Sequence, residues 1–199
     1  MRRLLFTLLA LSLAATIAAG CGGDDEETTS TAADDTSAAD DTSAAADEPG
    51  VFDEADFDVT FEYPVGFEPL EDISFNRSAG SSAVATAGVG LDETNLIAVQ
   101  RFDLNTEVTK DTIDDVRPEA DMLFSELSGE DVKGKDVEVG GLPALQYEIT
   151  LSDPPDAETK ATAIFDGRTQ YLLNCQATPA EAAAVEEACD LALDTLETK

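Results

Sequence analysis

Three cysteines carry most of the covalent chemistry open to this 199-residue chain: Cys21, Cys175 and Cys189. The sequence contains no histidine, so neither a Ser-His-Asp nor a Cys-His nucleophile can be assembled and histidine metal ligands are lacking. Adjacent acids such as Asp114-Asp115 and Glu186-Glu187 fall in predicted helices, where neighbouring side chains point apart into solvent. The sequence therefore predicts a protein that is not an enzyme and that holds no cofactor or metal.

Cys21 closes the segment Ile17-Ala18-Ala19-Gly20-Cys21, which resembles the lipobox of bacterial lipoproteins. Arg2 and Arg3 precede an apolar run at residues 4–19, the layout of a secretory signal peptide. That run is shorter than the roughly 20 residues of a bilayer-spanning helix. We therefore expect residues 1–20 to be a signal peptide and Cys21 to carry diacylglycerol and fatty acyl groups such as palmitate, which anchor a protein stably when two or more chains insert. A plain signal peptide and an uncleaved anchor helix are the alternatives.

Cys175 and Cys189 remain as an even pair in a chain that is predicted to be exported, which indicates a disulfide. Cys175 shares a predicted strand face with Tyr171 and Leu173, and Cys189 lies on the apolar stripe of the last predicted helix. If that helix packs on that face, the two Cα atoms can approach the ~5.5 Å of a disulfide. Two reduced thiols are the alternative, and a redox-active pair is disfavoured because the spacing is far from Cys-x-x-Cys.

A low-complexity acidic segment follows Cys21. Residues 22–56 are rich in Asp, Glu, Ser, Thr and Ala, and 34–39 repeat at once as 40–45. Such a segment cannot bury enough apolar surface to offset its chain entropy. Residues 21–56 are therefore predicted to be a lipidated cysteine followed by a disordered tether, with an r.m.s. span of about 33 Å for a flexible chain.

The overall charge limits the class of partner. The chain carries 11 basic and 43 acidic residues, a net charge of −32. Such a charge repels phosphate backbones and anionic lipid headgroups, so we expect no nucleic-acid binding and a membrane contact made by the lipid alone. We interpret the acid excess as a device for solubility, with an acidic docking surface for a basic partner as the alternative.

Residues 57–199 are predicted to form one domain. Alternating apolar and polar residues predict a strand with one buried face over 57–63, and apolar residues on both faces predict a central strand over 96–102. Shorter strands are predicted at 73–75 and 83–89.

Helices are predicted over 111–127 and from Thr178 onward. Asp111 is the expected N-cap of the first helix, and Pro118 should kink or restart it because proline donates no helical hydrogen bond. Thr178 and Glu181 have the spacing of a capping box at the start of the second helix.

Two hairpin turns are predicted, at Gly140-Gly141 and at Asp166-Gly167-Arg168. The order of strands, helix, strands and helix, connected by hairpins, indicates an α+β domain with a mostly antiparallel sheet and helices packed on it.

Three segments resemble a known family. They are Tyr63-Pro64-Val65-Gly66-Phe67, the segment 137–144, and the final strand, cysteine and helix. Together they resemble the PsbP-like fold over roughly residues 55–198, although Phe67 stands where the family more often has tryptophan. Lipoproteins of the LpqN/LpqT type, the photosystem accessory protein PsbP and Ran-binding Mog proteins share this fold. The resemblance implies an α-β-α sandwich that serves as an accessory or interaction module without known catalysis.

The expected function follows from the lipobox and the resemblance together. We expect a lipoprotein anchored through Cys21 on the extracytoplasmic face of the cell membrane, acting as a monomeric interaction module for a protein of the cell envelope. A lipoprotein that binds a small ligand or a cation is the alternative.

Overall fold

The computed structural model describes residues 48–71, 73, 83–150 and 156–199. Cys21, the predicted signal peptide and most of the predicted tether lie outside this part of the chain, as does most of the predicted strand at 73–75. The described elements are β1 (Gly50–Phe52), β2 (Val59–Tyr63), β3 (Glu68–Pro69), β4 (Ala85–Gly90), β5 (Leu96–Val108), α1 (Ile113–Ser128), β6 (Lys135–Val139), β7 (Leu142–Thr150), β8 (Glu158–Ala177), α2 (Ala182–Thr195) and β9 (Glu197–Thr198). Neither helix among these has the length and apolar character needed to cross a bilayer.

The strands form two antiparallel sheets. β2 lies between β1 and β9 in a three-stranded sheet, and six strands form a larger sheet in the order β3-β4-β5-β8-β7-β6. β5 is a long interior strand, as the apolar residues on both of its faces predict. The predicted α+β class with a mostly antiparallel sheet is confirmed.

The larger sheet has an apolar core on each face. On one face, α1 packs on β7 and buries Ile113 and Phe124 against Leu145, Tyr147 and other residues of the sheet. On the other face, α2 and the three-stranded sheet together cover β5 and β8. Consecutive residues of β7 therefore belong to different cores, as the alternation of side chains along a strand requires. The expected α-β-α sandwich is confirmed, with the three-stranded sheet added to one layer.

β8 corrects the second predicted hairpin. Asp166-Gly167-Arg168 does not turn the chain back, because β8 runs without interruption from Glu158 to Ala177. Its first half pairs with β7 and its second half pairs with β5, so the two halves do not pair with each other. Gly167 has a φ of +59°, and the adjoining strand β5 carries extra residues between Asp103 and Val108. A positive-φ glycine and a bulge thus accommodate a change of partner within one strand.

The Gly140-Gly141 hairpin is confirmed. β6 and β7 pair from Val139↔Leu142 onward, so the two glycines form the whole connection. Their φ values are +56° and +80°, the left-handed geometry that a tight type I′ turn requires at both positions.

α1 departs from its prediction at both points. Its N-cap is Thr112 rather than Asp111, and the Thr112 hydroxyl accepts a hydrogen bond from the N–H of Thr109 instead of capping the helix. Pro118 lies within one continuous helix. The preceding residue, Arg117, donates to Asp114 in the first turn of the helix and to Asp136 of β6, and so links the segment around Pro118 to the sheet.

α2 begins later than predicted. Its N-cap is Glu181, and Thr178 does not take part in a capping box. The backbone N–H and the hydroxyl of Thr178 both donate to Oδ1 of the buried Asn95, at 2.8 and 3.0 Å. A contact distant in sequence therefore replaces the local cap.

The domain begins earlier than residue 57. β1 pairs with β2, and the ring of Phe52 is buried and stacked on Phe61 with centroids 4.5 Å apart. The assignment of residues 50–56 to the tether is therefore wrong. The lone apolar pair Val51-Phe52 looks like tether in sequence, but β2 supplies it with a partner strand and a core.

Candidate functional site: a cleft beside the disulfide

Cys175 and Cys189 form a disulfide between β8 and α2. Their sulfur atoms are 2.05 Å apart and their Cα atoms are 5.9 Å apart. Both residues are buried in the core between the larger sheet and α2, together with Val185 and Leu173. The predicted convergence of these two cysteines is confirmed. The bond ties α2 to the last part of β8, and this fixes one wall of a neighbouring cleft.

The cleft lies between α2 and the outer strands of the larger sheet and has a volume of about 450 Å³. Its floor is formed by β7 and β8, and its wall is formed by α2. It is lined by Gln146, Glu148, Ile149, Thr150, Glu158, Thr159, Lys160, Cys175, Ala177, Ala182, Val185, Glu186 and Cys189.

The floor of the cleft becomes polar toward the outer end of the β7–β8 pair. α2 packs on β2, β8 and β5. Toward β7, the same face of the sheet changes from the buried pair Ala144↔Ile164 to the pairs Gln146↔Thr162, Glu148↔Lys160 and Thr150↔Glu158. Along this face the residues thus change from apolar in the core to polar in the cleft, with the buried Thr162 between them.

Ion pairs organise the charges around the cleft. Lys160 extends from the floor to Asp190 of α2, with Nζ and Oδ1 2.9 Å apart. At the edge of the floor, Nζ of Lys135 lies 3.0 Å from Oε1 of Glu148. Glu158 and Glu186 both line the cleft and have no ion pair within the described ranges. Within these ranges the cleft therefore holds two carboxylates that no basic side chain pairs, since its lysine, Lys160, is paired with Asp190.

The excess of unpaired acids over unpaired bases extends from the cleft to the rest of the described surface. Each basic side chain of residues 48–71, 83–150 and 156–199 already contacts an acid or a backbone carbonyl of the chain. Arg168 donates to the carbonyl of Asn105 at 2.7 Å. The other basic residues form ion pairs: Arg101, Lys110, Arg117, Lys133, Lys135, Lys160 and Lys199. Most acids are left over, so this surface offers unpaired negative charge and no unpaired positive charge.

A buried carboxylate on the opposite face is the polar group that sequence reasoning missed. Asp121 of α1 is 6% exposed, and its Oδ1 accepts hydrogen bonds of 3.0 Å from the N–H of Gly134 and from the hydroxyl of Tyr147. Nζ of Lys133 lies 3.6 Å from Oδ2. Its position next to Ala120, within the apolar stripe of the helix, is the signal that could have identified it.

The ionisation of this pair indicates a structural role. Burial raises the pKa of Asp121, but the donors of Gly134 and Tyr147 and the charge of Lys133 outweigh burial and leave the pKa below its usual value. Burial, followed by the hydrogen bond to Asp121, raises the pKa of Tyr147 well above its usual value. The carboxyl group stays ionised and the phenol stays protonated at neutral pH, so the pair acts as a fixed hydrogen bond.

The remaining described residues that the sequence analysis considered do not form a further site with one another. Cys21 is outside the described residues. Asp114 contacts Arg117, whereas Glu186 and Glu187 are exposed on α2. No three His, Cys, Asp or Glu residues among those described are grouped so that they could hold a metal ion.

Comparison with known proteins shows the fold. No protein-family model matches the chain, and no curated protein matches it. The solution structure of cyanobacterial PsbP from Synechocystis sp. PCC 6803 is similar with a TM-score of 0.52 and 11% identity, over 79% of this chain and 96% of that one. A crystal structure from Bacteroides thetaiotaomicron VPI-5482 is similar with a TM-score of 0.50 and 11% identity, over 75% of this chain but 48% of that one. The chain therefore has a PsbP-like fold and spans about half of the Bacteroides protein.

Proposed function

We propose that the chain is a lipoprotein of the LpqN/LpqT type, anchored through Cys21 on the extracytoplasmic face of the cell membrane. Its PsbP-like domain serves as a non-enzymatic interaction or accessory module for a protein of the cell envelope. It works as a monomer, and the acidic tether lets the domain stand off from the anionic lipid headgroups.

The pairing of the cysteines is the observation that carries this proposal. Of the three cysteines, Cys175 and Cys189 are joined to each other, so the third has no partner within the chain. Structural disulfides are typical of exported proteins, which supports export of this domain. The remaining cysteine, Cys21, follows a basic and apolar leader and three small residues. Export and an unpaired cysteine at this position together favour lipidation.

The absence of enzymatic activity is supported by the residues themselves. The chain has no histidine for general acid-base or nucleophilic catalysis. Asp121, the most deeply buried acid of the described residues, is fixed by hydrogen bonds on the α1 face of the sheet rather than in the cleft. An interaction module needs no such group, and its binding energy can come from a cleft and a charged surface.

Mass spectrometry of the protein extracted from membranes tests the anchor. We expect a mature chain that begins at Cys21 and carries the added mass of diacylglycerol and a further acyl chain. Cys21→Ser should release the protein from the membrane fraction or leave its leader uncleaved. The variant Cys175→Ser/Cys189→Ser is the control, and it should stay in the membrane fraction. An intact leader or an unmodified Cys21 thiol in the wild type overturns the proposal.

Cross-linking tests the interaction module. The anchored wild type and a variant that keeps residues 1–47 but lacks the domain are compared in intact cells after treatment with a carboxyl-to-amine cross-linker. We expect a reproducible envelope protein joined to the wild type alone. Identical cross-linked species in both samples contradict an interaction through the domain.

A lipoprotein that binds a small ligand or cation is the second candidate, and the cleft of about 450 Å³ is the observation that favours it. Its volume falls within the range of small-molecule sites. A thermal-shift screen with Ca²⁺ and small polar metabolites tests this candidate. A rise in melting temperature of several degrees that Glu158→Gln abolishes supports it, whereas an unchanged melting temperature throughout removes it.

A further inference from the structure

We propose that the cleft between α2 and the outer strands of the larger sheet receives an extended segment of a partner protein that bears lysine or arginine. This inference rests on the proposed function, because it states the chemistry by which the envelope partner is recognised. Three observations support it: an open sheet face, unpaired acids on two sides of that face, and the absence of competing positive charge among the described residues.

The open face provides the shape. Gln146 and the cross-strand pairs Glu148↔Lys160 and Thr150↔Glu158 line the cleft and form its polar floor. An extended peptide presents every second side chain to one side, at a repeat of about 7 Å. A cleft of about 450 Å³ accommodates a few such side chains rather than a folded domain. The occupant that fits is a short extended segment.

The acids provide the charge. Glu158 projects from β8 and Glu186 from α2, and both line the cleft. The lysine on the floor, Lys160, is already paired with Asp190, 2.9 Å away, and the lysine at its edge, Lys135, is paired with Glu148. Neither lysine is free to neutralise Glu158 or Glu186. A positively charged side chain placed between floor and wall would meet both carboxylates.

The rest of the described surface presents no unpaired basic side chain that would repel a basic segment. Its basic side chains are engaged within the chain, so a basic segment meets no unpaired positive charge as it approaches. The wider acidic surface increases the rate of encounter, whereas the cleft determines where the segment binds. Binding of the segment at the cleft, rather than anywhere on the acidic surface, is therefore what has to be tested.

Fluorescence anisotropy with a defined probe tests the position. The probe is a fluorescein-labelled peptide of about eight alternating lysine and glycine residues, and the neutral control peptide has serine in place of lysine. The double variant Glu158→Gln/Glu186→Gln removes both unpaired acids from the cleft. The matched control Glu119→Gln/Glu126→Gln removes the same charge from exposed positions of α1, on the opposite face of the sheet.

At about 150 mM salt we expect the cleft variant to weaken binding of the lysine probe on the order of tenfold, and the α1 control to weaken it less than about twofold. The serine peptide should not bind. Amide chemical shifts of the wild type should change at residues 146–150, 158–160 and 182–190 as the lysine probe is added. Equal weakening by both variants, or shift changes spread over α1, overturns the inference, as does a wild type that does not bind the probe at millimolar concentration.

Cross-linking in cells separates this inference from the proposed function. An envelope partner that joins the wild type and the cleft variant equally leaves the function intact and overturns the cleft as its site. A wild type that joins no partner overturns the function itself. Unchanged melting temperatures of both double variants establish that the comparison reports binding and not unfolding.

Discussion

The hydroxyl of Tyr147 in β7 donates a hydrogen bond of 3.0 Å to the buried carboxylate of Asp121 in α1. The ring of Tyr147 also stacks on Phe124, with centroids 4.1 Å apart. One tyrosine thus joins the helix to the sheet through a polar and an apolar contact. Because Asp121 also accepts from the N–H of Gly134, the same carboxylate holds the connection between α1 and β6.

Removing that hydroxyl should destabilise the domain without changing its shape. Tyr147→Phe keeps the stacked ring but deprives a buried carboxylate of one donor, and we expect the free energy of unfolding to fall by about 1.5–3 kcal/mol. Urea denaturation measures the change. In an Asp121→Ala background the same substitution should cost clearly less, because its acceptor is gone. Equal costs in both backgrounds would mean that the hydrogen bond contributes nothing.

The pH dependence of stability should reveal the ionised state of Asp121. Its pKa in the folded protein is below the ordinary value of 3.8, so its contribution to stability is present above the unfolded pKa and is lost as pH falls through the folded pKa. Asp121→Asn retains a hydrogen-bond acceptor without the charge. The difference in unfolding free energy between wild type and Asp121→Asn should be constant above about pH 5 and should shrink below about pH 4. A difference that persists unchanged to about pH 2 contradicts this assignment.

The disulfide should contribute substantially to stability. Cys175 and Cys189 are separated by 14 residues, and chain entropy predicts that opening a loop of this size costs about 3 kcal/mol. We expect Cys175→Ala/Cys189→Ala to unfold at a correspondingly lower urea concentration. Reductant is the internal control: it should bring the wild type close to the double variant and leave the variant unchanged. A double variant as stable as the oxidised wild type would contradict the prediction.

The first strand should be part of the cooperative fold. Phe52 is 3% exposed and packs against Phe57 and Phe61, so Phe52→Ala should cost about 3–5 kcal/mol. Val51 lies beside it on the same strand but is 59% exposed. Val51→Ala is therefore the matched control and should change the unfolding free energy by less than about 0.5 kcal/mol. Similar small effects at both positions would place β1 outside the cooperative unit.

Local patterns predicted the parts of the fold that depend on neighbouring residues. The alternation in β2, the paired glycines at 140–141 and the apolar stripe of α2 each define an element and its buried face. Because that stripe includes Cys189, the partner of Cys175 could be predicted before the structure was known.

The features that the sequence analysis predicted wrongly or missed depend on contacts between residues distant in sequence. The segment Asp166-Gly167-Arg168 has the composition of a turn but remains within one strand, because β7 pairs with the first half of β8 and β5 pairs with the second half. Thr178 does not cap α2, and its backbone N–H instead donates a hydrogen bond to Asn95. The cleft lies between α2 and the strands β7 and β8, an arrangement that no local pattern of the sequence contains.

The attachment of β1 has a mechanical consequence. Tension on the chain ahead of Gly50 would act first on the three residue pairs that join β1 to β2. The loop that follows is held by further contacts: Lys199 contacts Asp53 at 2.6 Å and the carbonyl of Phe57 at 2.9 Å, and Arg101 donates to the carbonyl of Asp56 at 2.9 Å. A pull from the N-terminal side would thus have to separate these three pairs and withdraw the buried Phe52 before it reached the contacts of residues 53–57.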